Sequence, residues 1–223
     1  MERAGKSRGA VWKAGFLFLG NHLALDFLNT RPALEGEFVE LLPDFPALLH
    51  WFQAADLLSA GSAARLQRRW GGTGRARRTV EAMRKLRRRL RKAVLGWSRG
   101  RAVHPSTVDE LNRLLVRHPM RTRLKASGRA SSTELWFLPH RPEDLMAPLA
   151  HSAAALFATV ERSRVRQCDR CVGLFLDTSK KGTRRWCSMR LCGNRQKVAA
   201  YAARQRRAGE KKRAGVNPGS SLL

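Results

Sequence analysis

Four cysteines are the residues of this chain whose type and spacing most clearly indicate chemistry. They are the only cysteines among 223 residues, and they lie within 25 positions near the C-terminus, at Cys168, Cys171, Cys187 and Cys192. Two close pairs separated by a spacer long enough for a hairpin are typical of a tetrahedral site in which four thiolates bind one Zn²⁺. The sequence therefore predicts one structural zinc ion per chain.

Other uses of these thiols fit the rest of the chain less well. A disulfide within a C-x-x-C pair needs an oxidising compartment, and the N-terminal segment does not resemble a signal peptide, because Lys13 interrupts its apolar stretch. An iron–sulfur cluster is the other metal alternative. A catalytic zinc is not expected, since four thiolates leave no open coordination position. The sequence contains no phosphate loop or HExxH motif, so we do not expect an enzyme.

The charge of the chain indicates a polyanionic partner. It contains 44 Lys and Arg against 17 Asp and Glu, a formal net charge of +27. A genomic bias toward arginine fits the ratio of 34 arginines to ten lysines, but it does not explain why acids are so few. Nucleic acid is favoured over a membrane surface. No apolar run reaches 18 residues, so no transmembrane helix is predicted and a cytoplasmic, nucleoid-associated protein is expected.

Basic residues are concentrated around the cysteines. From Arg162 to Arg213 there are 17 Lys and Arg against three acids. Such a surface attracts phosphates without sequence preference, whereas Asn and Arg side chains can also contact base edges. For Asn194 and Arg195 the alternative is a structural role in capping a helix or bonding across the module. The residues expected to contact nucleic acid are Lys180, Lys181, Arg184, Arg185, Arg190, Asn194, Arg195, Lys197 and Arg204.

Apolar periodicity predicts a mainly α protein with a small β-hairpin. One hairpin is expected from the alternating segments 121–125 and 133–138. On the longest helix, four arginines at positions 84, 87, 88 and 91 are expected to form an outward stripe. The inward, buried stripe of the same helix is expected to consist of Val80, Met83, Leu86, Leu90, Val94 and Trp97. The predicted helices cover 22–29 with Asn21 as the cap, a segment after Leu42-Pro43-Asp44, and residues 79–97, 106–117 and 143–162.

The cysteine segment is expected to fold as a small C-terminal finger. The first cysteine pair would form a tight turn, and Val172–Leu176 would pair with a return strand at Arg184–Trp186. Cys192 would then begin a helix, where the helix dipole favours a thiolate. This order is that of treble-clef-like zinc folds. Phe175 and Trp186 are the predicted small core, and zinc is expected to supply much of the folding free energy.

These elements predict four regions along the chain. Residues 1–14 are expected to be a basic tail and 15–162 a helical domain. Residues 163–207 are the expected zinc finger, and 208–223 a disordered polar tail.

The motifs in two of these regions resemble known families. Arg184-Arg185-Trp186-Cys187-Ser188-Met189 followed by Cys192-Gly193-Asn194-Arg195 resembles the signature of the bacterial CGNR zinc-finger family, and the segment 174–179 also fits. Leu23-Ala24-Leu25-Asp26-Phe27-Leu28-Asn29-Thr30 resembles the opening motif of the ABATE domain, the mostly helical N-terminal partner of that finger. The resemblance covers residues 16 to 207. It departs from the family in the tight first cysteine pair and in Lys180, where an arginine is expected.

The resemblance implies a bacterial stress-induced transcription regulator whose finger binds DNA. The N-terminal domain would sense a small molecule or protein partner, or form a homodimer. Asp26 and Asn29 are candidate ligand-binding residues, and the alternative is that they bond the chain's own turns and helix ends. An RNA-binding protein, or a module that senses oxidation through its zinc thiolates, are the other two hypotheses for function.

Overall fold

Six α-helices and four two-stranded antiparallel hairpins make up the part of the chain that the computed structural model describes, residues 11–34, 37–127, 130–194, 198 and 201. The predicted mainly α fold class is confirmed. The helices are α1 Leu23–Leu28, α2 Phe45–Ala54, α3 Ala60–Trp70, α4 Gly74–Ser98, α5 Pro105–Arg117 and α6 Met146–Thr159. The hairpins are β1 Val11–Lys13 with β2 Phe16–Phe18, β3 Ala33–Leu34 with β4 Glu37–Phe38, β5 Arg121–Ser127 with β6 Ala130–Trp136, and β7 Val165–Gln167 with β8 Leu174–Leu176.

Short polar side chains determine where the helices around the core begin. Asp44 accepts a hydrogen bond from the Ala47 N–H at 2.8 Å and so caps α2. Thr73 caps α4 in the same way, directly after Gly71 and Gly72. Ser59 caps α3, a helix that apolar periodicity did not predict, because Ala63 and Leu66 are its only buried residues.

The long helix α4 lies at the centre of the core and packs against α1, α2 and α5. The inward stripe predicted for this helix is confirmed, since each member is at most 9 % exposed. Helix α6 packs on α1 and α5 and contributes to the same apolar core. The buried stripe of α4 consists of Val80, Met83, Leu86, Leu90, Val94 and Trp97.

The outward arginine stripe predicted on α4 is wrong for three of its four members. Arg87 is only 2 % exposed. Arg84 donates to the Leu42 carbonyl at 2.7 Å, and Arg91 donates to the Val172 carbonyl at 2.6 Å. Only Arg88 is exposed. The segments that contain Leu42 and Val172 cross this face of the helix. The aliphatic parts of the arginines are buried there, while their guanidinium groups donate to backbone carbonyls.

Arg87 holds the segment that follows α1 against α4. Its guanidinium donates to Thr30 Oγ1 at 2.7 Å and to both carboxylate oxygens of Glu40. Burial raises the pKa of Glu40, but the hydrogen bonds and positive charge of Arg87 outweigh burial and lower it below its usual value. The ion pair therefore stabilises the fold while Glu40 is ionised.

The predicted basic tail ends earlier than expected. Val11–Lys13 form strand β1, so the prediction of a tail through residue 14 is wrong for these residues. Ala14 and Gly15 both have positive φ, 51° and 78°, which suits a tight two-residue hairpin turn. Lys13, which interrupts the apolar stretch, is exposed there and lies 2.7 Å from Asp56. The rest of the tail, residues 1–10, lies outside the described residues.

We expect Arg87→Met to lower the free energy of unfolding at pH 7 by about 2 kcal/mol, because Glu40 and Thr30 lose their buried partner. The folded-state pKa of Glu40 is depressed, so its stabilisation is present above pH 4.5 and is lost as pH falls through the folded pKa. The variant should lack this part of the acid dependence. Urea unfolding at several pH values measures both effects.

The matched control is Arg88→Met on the same helix. Arg88 is exposed, so its replacement should change stability by less than about 0.5 kcal/mol. Equal destabilisation by the two variants would contradict the role assigned to Arg87.

Candidate zinc centre and adjoining basic surface

The four cysteine sulfurs form one cluster whose dimensions fit a metal ion. All four Sγ atoms lie within 4.8 Å of one another, and all four cysteines are free. Cys187 Sγ lies 3.7 Å from Cys171 Sγ and 3.6 Å from Cys192 Sγ. A zinc ion with four sulfurs at about 2.3 Å requires sulfur–sulfur distances of about 3.8 Å, whereas a disulfide requires about 2 Å. The donor set therefore fits Zn²⁺.

The first cysteine pair lies in the turn between β7 and β8. The Cys168 N–H donates to the Gly173 carbonyl at 2.8 Å, and the Val172 N–H donates to the Cys168 carbonyl at 3.1 Å. Val172 has φ of 51°, a left-handed conformation that tightens the turn. These contacts direct both sulfurs to the same side of the hairpin.

The return strand predicted at Arg184–Trp186 is wrong. Strand β8 pairs with β7 instead, in the register Leu174 to Gln167 and Leu176 to Val165. The other edge of β8 is occupied by the N-terminal domain, where the Leu176 N–H donates to the Gly20 carbonyl at 2.8 Å. Both edges of the strand are therefore used, and the segment that carries Cys187 has no edge to join.

Cys187 precedes a short helical turn, and Cys192 lies within it. The helix start predicted at Cys192 is wrong by three residues, because the Ser188 side chain caps the turn and so begins it at Met189. Residues Met189–Gly193 form a π-helical turn that begins after Ser188, and the Cys192 N–H donates to the Ser188 carbonyl at 3.0 Å. Phe175 is fully buried among the cysteines, and Trp186 packs against the same cluster. The predicted small core is therefore present, and Leu19 from the N-terminal domain also belongs to it.

A loop from Asp177 to Arg184, called here the finger loop, presents lysines beside the cysteine cluster. The Asp177 carboxylate is buried and accepts hydrogen bonds from the N–H groups of Ser179 at 2.9 Å and Arg184 at 2.8 Å. Burial raises the pKa of Asp177, but these hydrogen bonds lower it overall. Lys180 and Lys181 are exposed at the loop tip and make no hydrogen bond or ion pair within the described part of the chain.

Sequence reasoning did not assign a role to Asp177. Its signal was an acid followed by Thr-Ser within a basic segment, a pattern in which the carboxylate caps the turn that follows. Gly182 completes the loop with φ of 63°, and a side chain there would collide with Arg164. The loop is therefore shaped by groups that face away from solvent.

The predicted nucleic-acid-binding residues differ in their availability. Arg184 is half-buried, lies 5.1 Å from the centre of the Phe175 ring and donates to the Cys187 carbonyl, so it holds the finger together. Arg185 is exposed but pairs with Asp169 at 2.8 Å. Arg190 and Asn194, in contrast, are exposed, and their side chains make no hydrogen bond or ion pair with other described residues. The remaining members, Arg195, Lys197 and Arg204, lie outside the described residues.

Comparison with known families matches the two parts of this structure. The ABATE family, described as "Putative stress-induced transcription regulator", matches residues 21–160, and the CGNR zinc finger matches residues 164–205. The chain belongs to the ABATE family. Both predicted resemblances are confirmed. A search of curated proteins found no match. Within the described residues, no helix has the length and apolar character needed to cross a membrane.

The ABATE domain holds the finger through the peptide groups of β8. The Asn29 side chain donates to the Leu174 carbonyl at 2.7 Å and accepts from the Leu174 N–H at 2.8 Å. Both residues are buried. Asn21 donates to the Leu176 carbonyl at 3.2 Å, and Arg91 holds the turn through Val172. The ABATE domain and the finger therefore share one set of hydrogen bonds rather than meeting at a flexible linker.

The contacts of Asp26 and Asn29 support their structural alternative over the ligand-binding one. Asp26 accepts hydrogen bonds from the N–H groups of Leu19 at 3.0 Å and Gly20 at 2.7 Å. Burial raises the pKa of Asp26 to about 7, and these two bonds oppose that rise. A side chain at Gly20 would collide with Asp26, so glycine is needed at this approach. The cavity beside Asn29 has a volume of only ≈ 30 Å³, too small for an organic ligand.

The predicted cap of α1 is also corrected by these contacts. His22 rather than Asn21 precedes the helix, and it makes no side-chain cap. Asn21 has φ of 54° and directs its amide to β8. The ABATE opening motif thus uses its polar residues to receive the finger.

The thiols cannot all ionise together without a cation. Burial and the negative charges of Cys171 and Cys168 raise the pKa of Cys192 to about 12. Hydrogen bonds with Cys168 raise the pKa of Cys187 and of Cys171. Cys168 receives those hydrogen bonds, which lower its pKa. The cluster is therefore expected to keep most of its thiol protons when no metal is bound.

We expect zinc binding to the full-length apo-protein at pH 7 to release about three protons, because each sulfur binds zinc as a thiolate. Calorimetry in two buffers of different protonation enthalpy measures this number. Cys171→Ser should lose the zinc ion, while Thr178→Ala, an exposed change in the finger loop, should retain one zinc per chain. Release of one proton or fewer, or a full zinc content in Cys171→Ser, would contradict the assignment.

We expect Asn29→Ala to lower the free energy of unfolding by about 3 kcal/mol, because it leaves a buried N–H and a buried carbonyl of Leu174 without partners. Zinc affinity should fall as well, since β8 carries the first cysteine pair into position. Chemical unfolding and competition with a zinc chelator measure the two effects.

Asn21→Gly is the matched control, because it removes one half-buried hydrogen bond and glycine tolerates the positive φ at this position. A loss of about 1 kcal/mol is expected. If Asn29→Ala were no more harmful than this control, the Asn29–Leu174 pair would not be a main contact between the ABATE domain and the finger.

Proposed function

We propose that this protein is a bacterial DNA-binding transcription regulator whose zinc finger contacts DNA and whose ABATE domain holds the finger and receives the signal. The observation that carries the proposal is the charge balance of the described finger. Its two acids, Asp169 and Asp177, are engaged by Arg185 and by the finger loop. Lys180, Lys181 and Arg190 therefore remain as exposed positive charges without partners in the described structure.

The exposed lysines suit phosphate contacts. A phosphate backbone binds such charges through release of counterions, and this binding does not require a defined base sequence. Because Asp177 and Gly182 shape the finger loop from inside, the two lysines are presented from a formed turn rather than from a free chain. Their contribution is to affinity and to orientation on the duplex.

Recognition of sequence is assigned to the residues after the cysteine cluster. Asn194 is exposed at the end of the π-helical turn, and Arg195, Gln196 and Lys197 follow it in the sequence. Asn can bond adenine in the major groove and Arg can bond guanine. Zinc, when bound, joins the knuckle of β7 and β8 to this turn and so sets where Asn194 stands. The proposal places the protein on DNA in the cytoplasm and assigns no catalytic role to the thiolates.

We expect the finger loop to account for a measurable share of the salt dependence of DNA binding. Each phosphate contact contributes about 0.9 to the slope of log K against log salt, so Lys180→Ala/Lys181→Ala should reduce the slope by about 1.8. The probe is a short random-sequence duplex titrated at several salt concentrations. Zinc-free Cys171→Ser should bind DNA much more weakly than the wild type.

The charge-matched control is Arg78→Ala/Lys85→Ala. Both residues are exposed on α4 and make no hydrogen bond or ion pair within the described residues, so the slope should not change. An equal reduction in the control would make the binding a general effect of net charge.

A preference for structured RNA over duplex DNA in competition would replace DNA by RNA as the partner. Selection from random duplexes at physiological salt should enrich a motif if the protein is a regulator.

A further inference from the structure

A positively charged pocket lies between the end of α5 and the start of α6, within the ABATE domain. Its volume is ≈ 260 Å³, near the lower end of the range for small-molecule sites. It is bordered by the turn Pro142–Leu145 that precedes α6 and by the end of β6. The charged residues that line it are Arg117, His118, Arg121, His140, Arg141 and Asp144.

His118 gives this pocket a buried polar group that the fold does not satisfy. Its side chain is 3 % exposed, and its Nδ1 lies 2.9 Å from Asp144 Oδ1. Its Nε2 makes no hydrogen bond with other described residues, yet it is not one of the fully buried unpaired polar atoms. His118 lines the pocket, and Nε2 is the ring nitrogen that Asp144 does not engage. The imidazole is therefore oriented by Asp144, with its second nitrogen available to a bound molecule.

The charge of the pocket favours an anion. Asp144 is its acidic residue, and that carboxylate is already engaged by His118, by the Arg141 guanidinium and by the N–H groups of His140 and Arg141. These hydrogen bonds lower the pKa of Asp144, although burial raises it. Arg117 makes no hydrogen bond or ion pair within the described residues, and Arg121 lies 5.9 Å from the centre of the Trp136 ring. Two guanidinium groups therefore face the pocket without an acidic partner.

The walls of the pocket leave room for an organic part of the ligand. Phe137, Leu138 and Ala147 supply apolar surface. Phe137 and Leu138 also border a larger open groove of ≈ 780 Å³ beside α3. An anionic group bound at His118 could thus carry an apolar body against Phe137.

We propose that this pocket binds a small oxyanion, a carboxylate or a phosphate, through Arg117, Arg121 and the His118 ring. The two arginines donate to the anion, and His118 donates from Nε2 while Asp144 accepts from Nδ1. His140, Arg141 and Asp144 are the other charged groups that line the pocket around His118. The proposal is independent of DNA binding by the finger.

The test uses the full-length, zinc-loaded protein and two probes, inorganic phosphate and benzoate, titrated by calorimetry at constant ionic strength with chloride as the reference anion. We expect one saturable site. The nuclear magnetic resonance signal of the His118 ring should shift with the same dissociation constant. Binding of phosphate alone or of benzoate alone identifies which oxyanion the site prefers.

Arg117→Ala is the main variant, because Arg117 is exposed and makes no internal contact that folding would lose. We expect it to weaken binding about tenfold or more, the loss of one charge-assisted hydrogen bond. Arg113→Ala, one turn earlier on α5 and also exposed, should bind as the wild type does. Lys180→Ala/Lys181→Ala should also bind normally, which separates this pocket from the finger loop.

The proposal is overturned if neither probe saturates a site, or if Arg113→Ala weakens binding as much as Arg117→Ala. It is also overturned if binding is lost in the finger-loop variant but retained in Arg117→Ala. Each of these results leaves the salt dependence of DNA binding unaffected, so failure here is distinct from failure of the proposed function.

Discussion

The pair of hydrogen bonds between the Asn29 amide and the peptide group of Leu174 is the contact on which the arrangement of the two domains depends. An asparagine side chain carries both a donor and an acceptor, so it can satisfy the N–H and the carbonyl of one strand residue as a neighbouring strand would. Here it occupies the free edge of β8, across 145 positions of sequence. Because the same strand follows Cys171, the position of the zinc centre is set by Asn29, the residue that directly follows α1.

The basic residues of this protein have two distinct uses. Several arginines, among them Arg84, Arg91 and Arg164, donate to backbone carbonyls at segment crossings that regular secondary structure does not satisfy. Their charge is partly buried and unavailable to a partner. The lysines of the finger loop have no such partners. The net charge of +27 therefore overstates the surface offered to a nucleic acid.

Local patterns predicted the parts of this fold that local chemistry controls. The cysteine spacing indicated the metal site, and the apolar period of α4 identified its buried stripe. The prediction of a return strand at Arg184–Trp186 was wrong because the N-terminal domain occupies the edge of β8 that this strand would have joined. Which segment pairs with a strand edge depends on tertiary contacts, and a local pattern does not show them. The burial of Arg87 was missed for a similar reason, since the pattern shows a charge on a helix face but not the segment that crosses it.

The span between Asn29 and Leu174 also has a consequence for biosynthesis. The chain is synthesised from its N-terminus, so α1 and the Asn29 amide exist long before β8, the strand that Asn29 binds. The core of the ABATE domain includes Val165 and Leu174, so it remains incomplete until the finger has been synthesised. A product that stopped before the cysteines would be an unfinished domain with exposed apolar surface, and cellular quality control would be expected to degrade it. Assembly of the metal site and completion of the regulatory domain are thus a single late event in the life of the molecule.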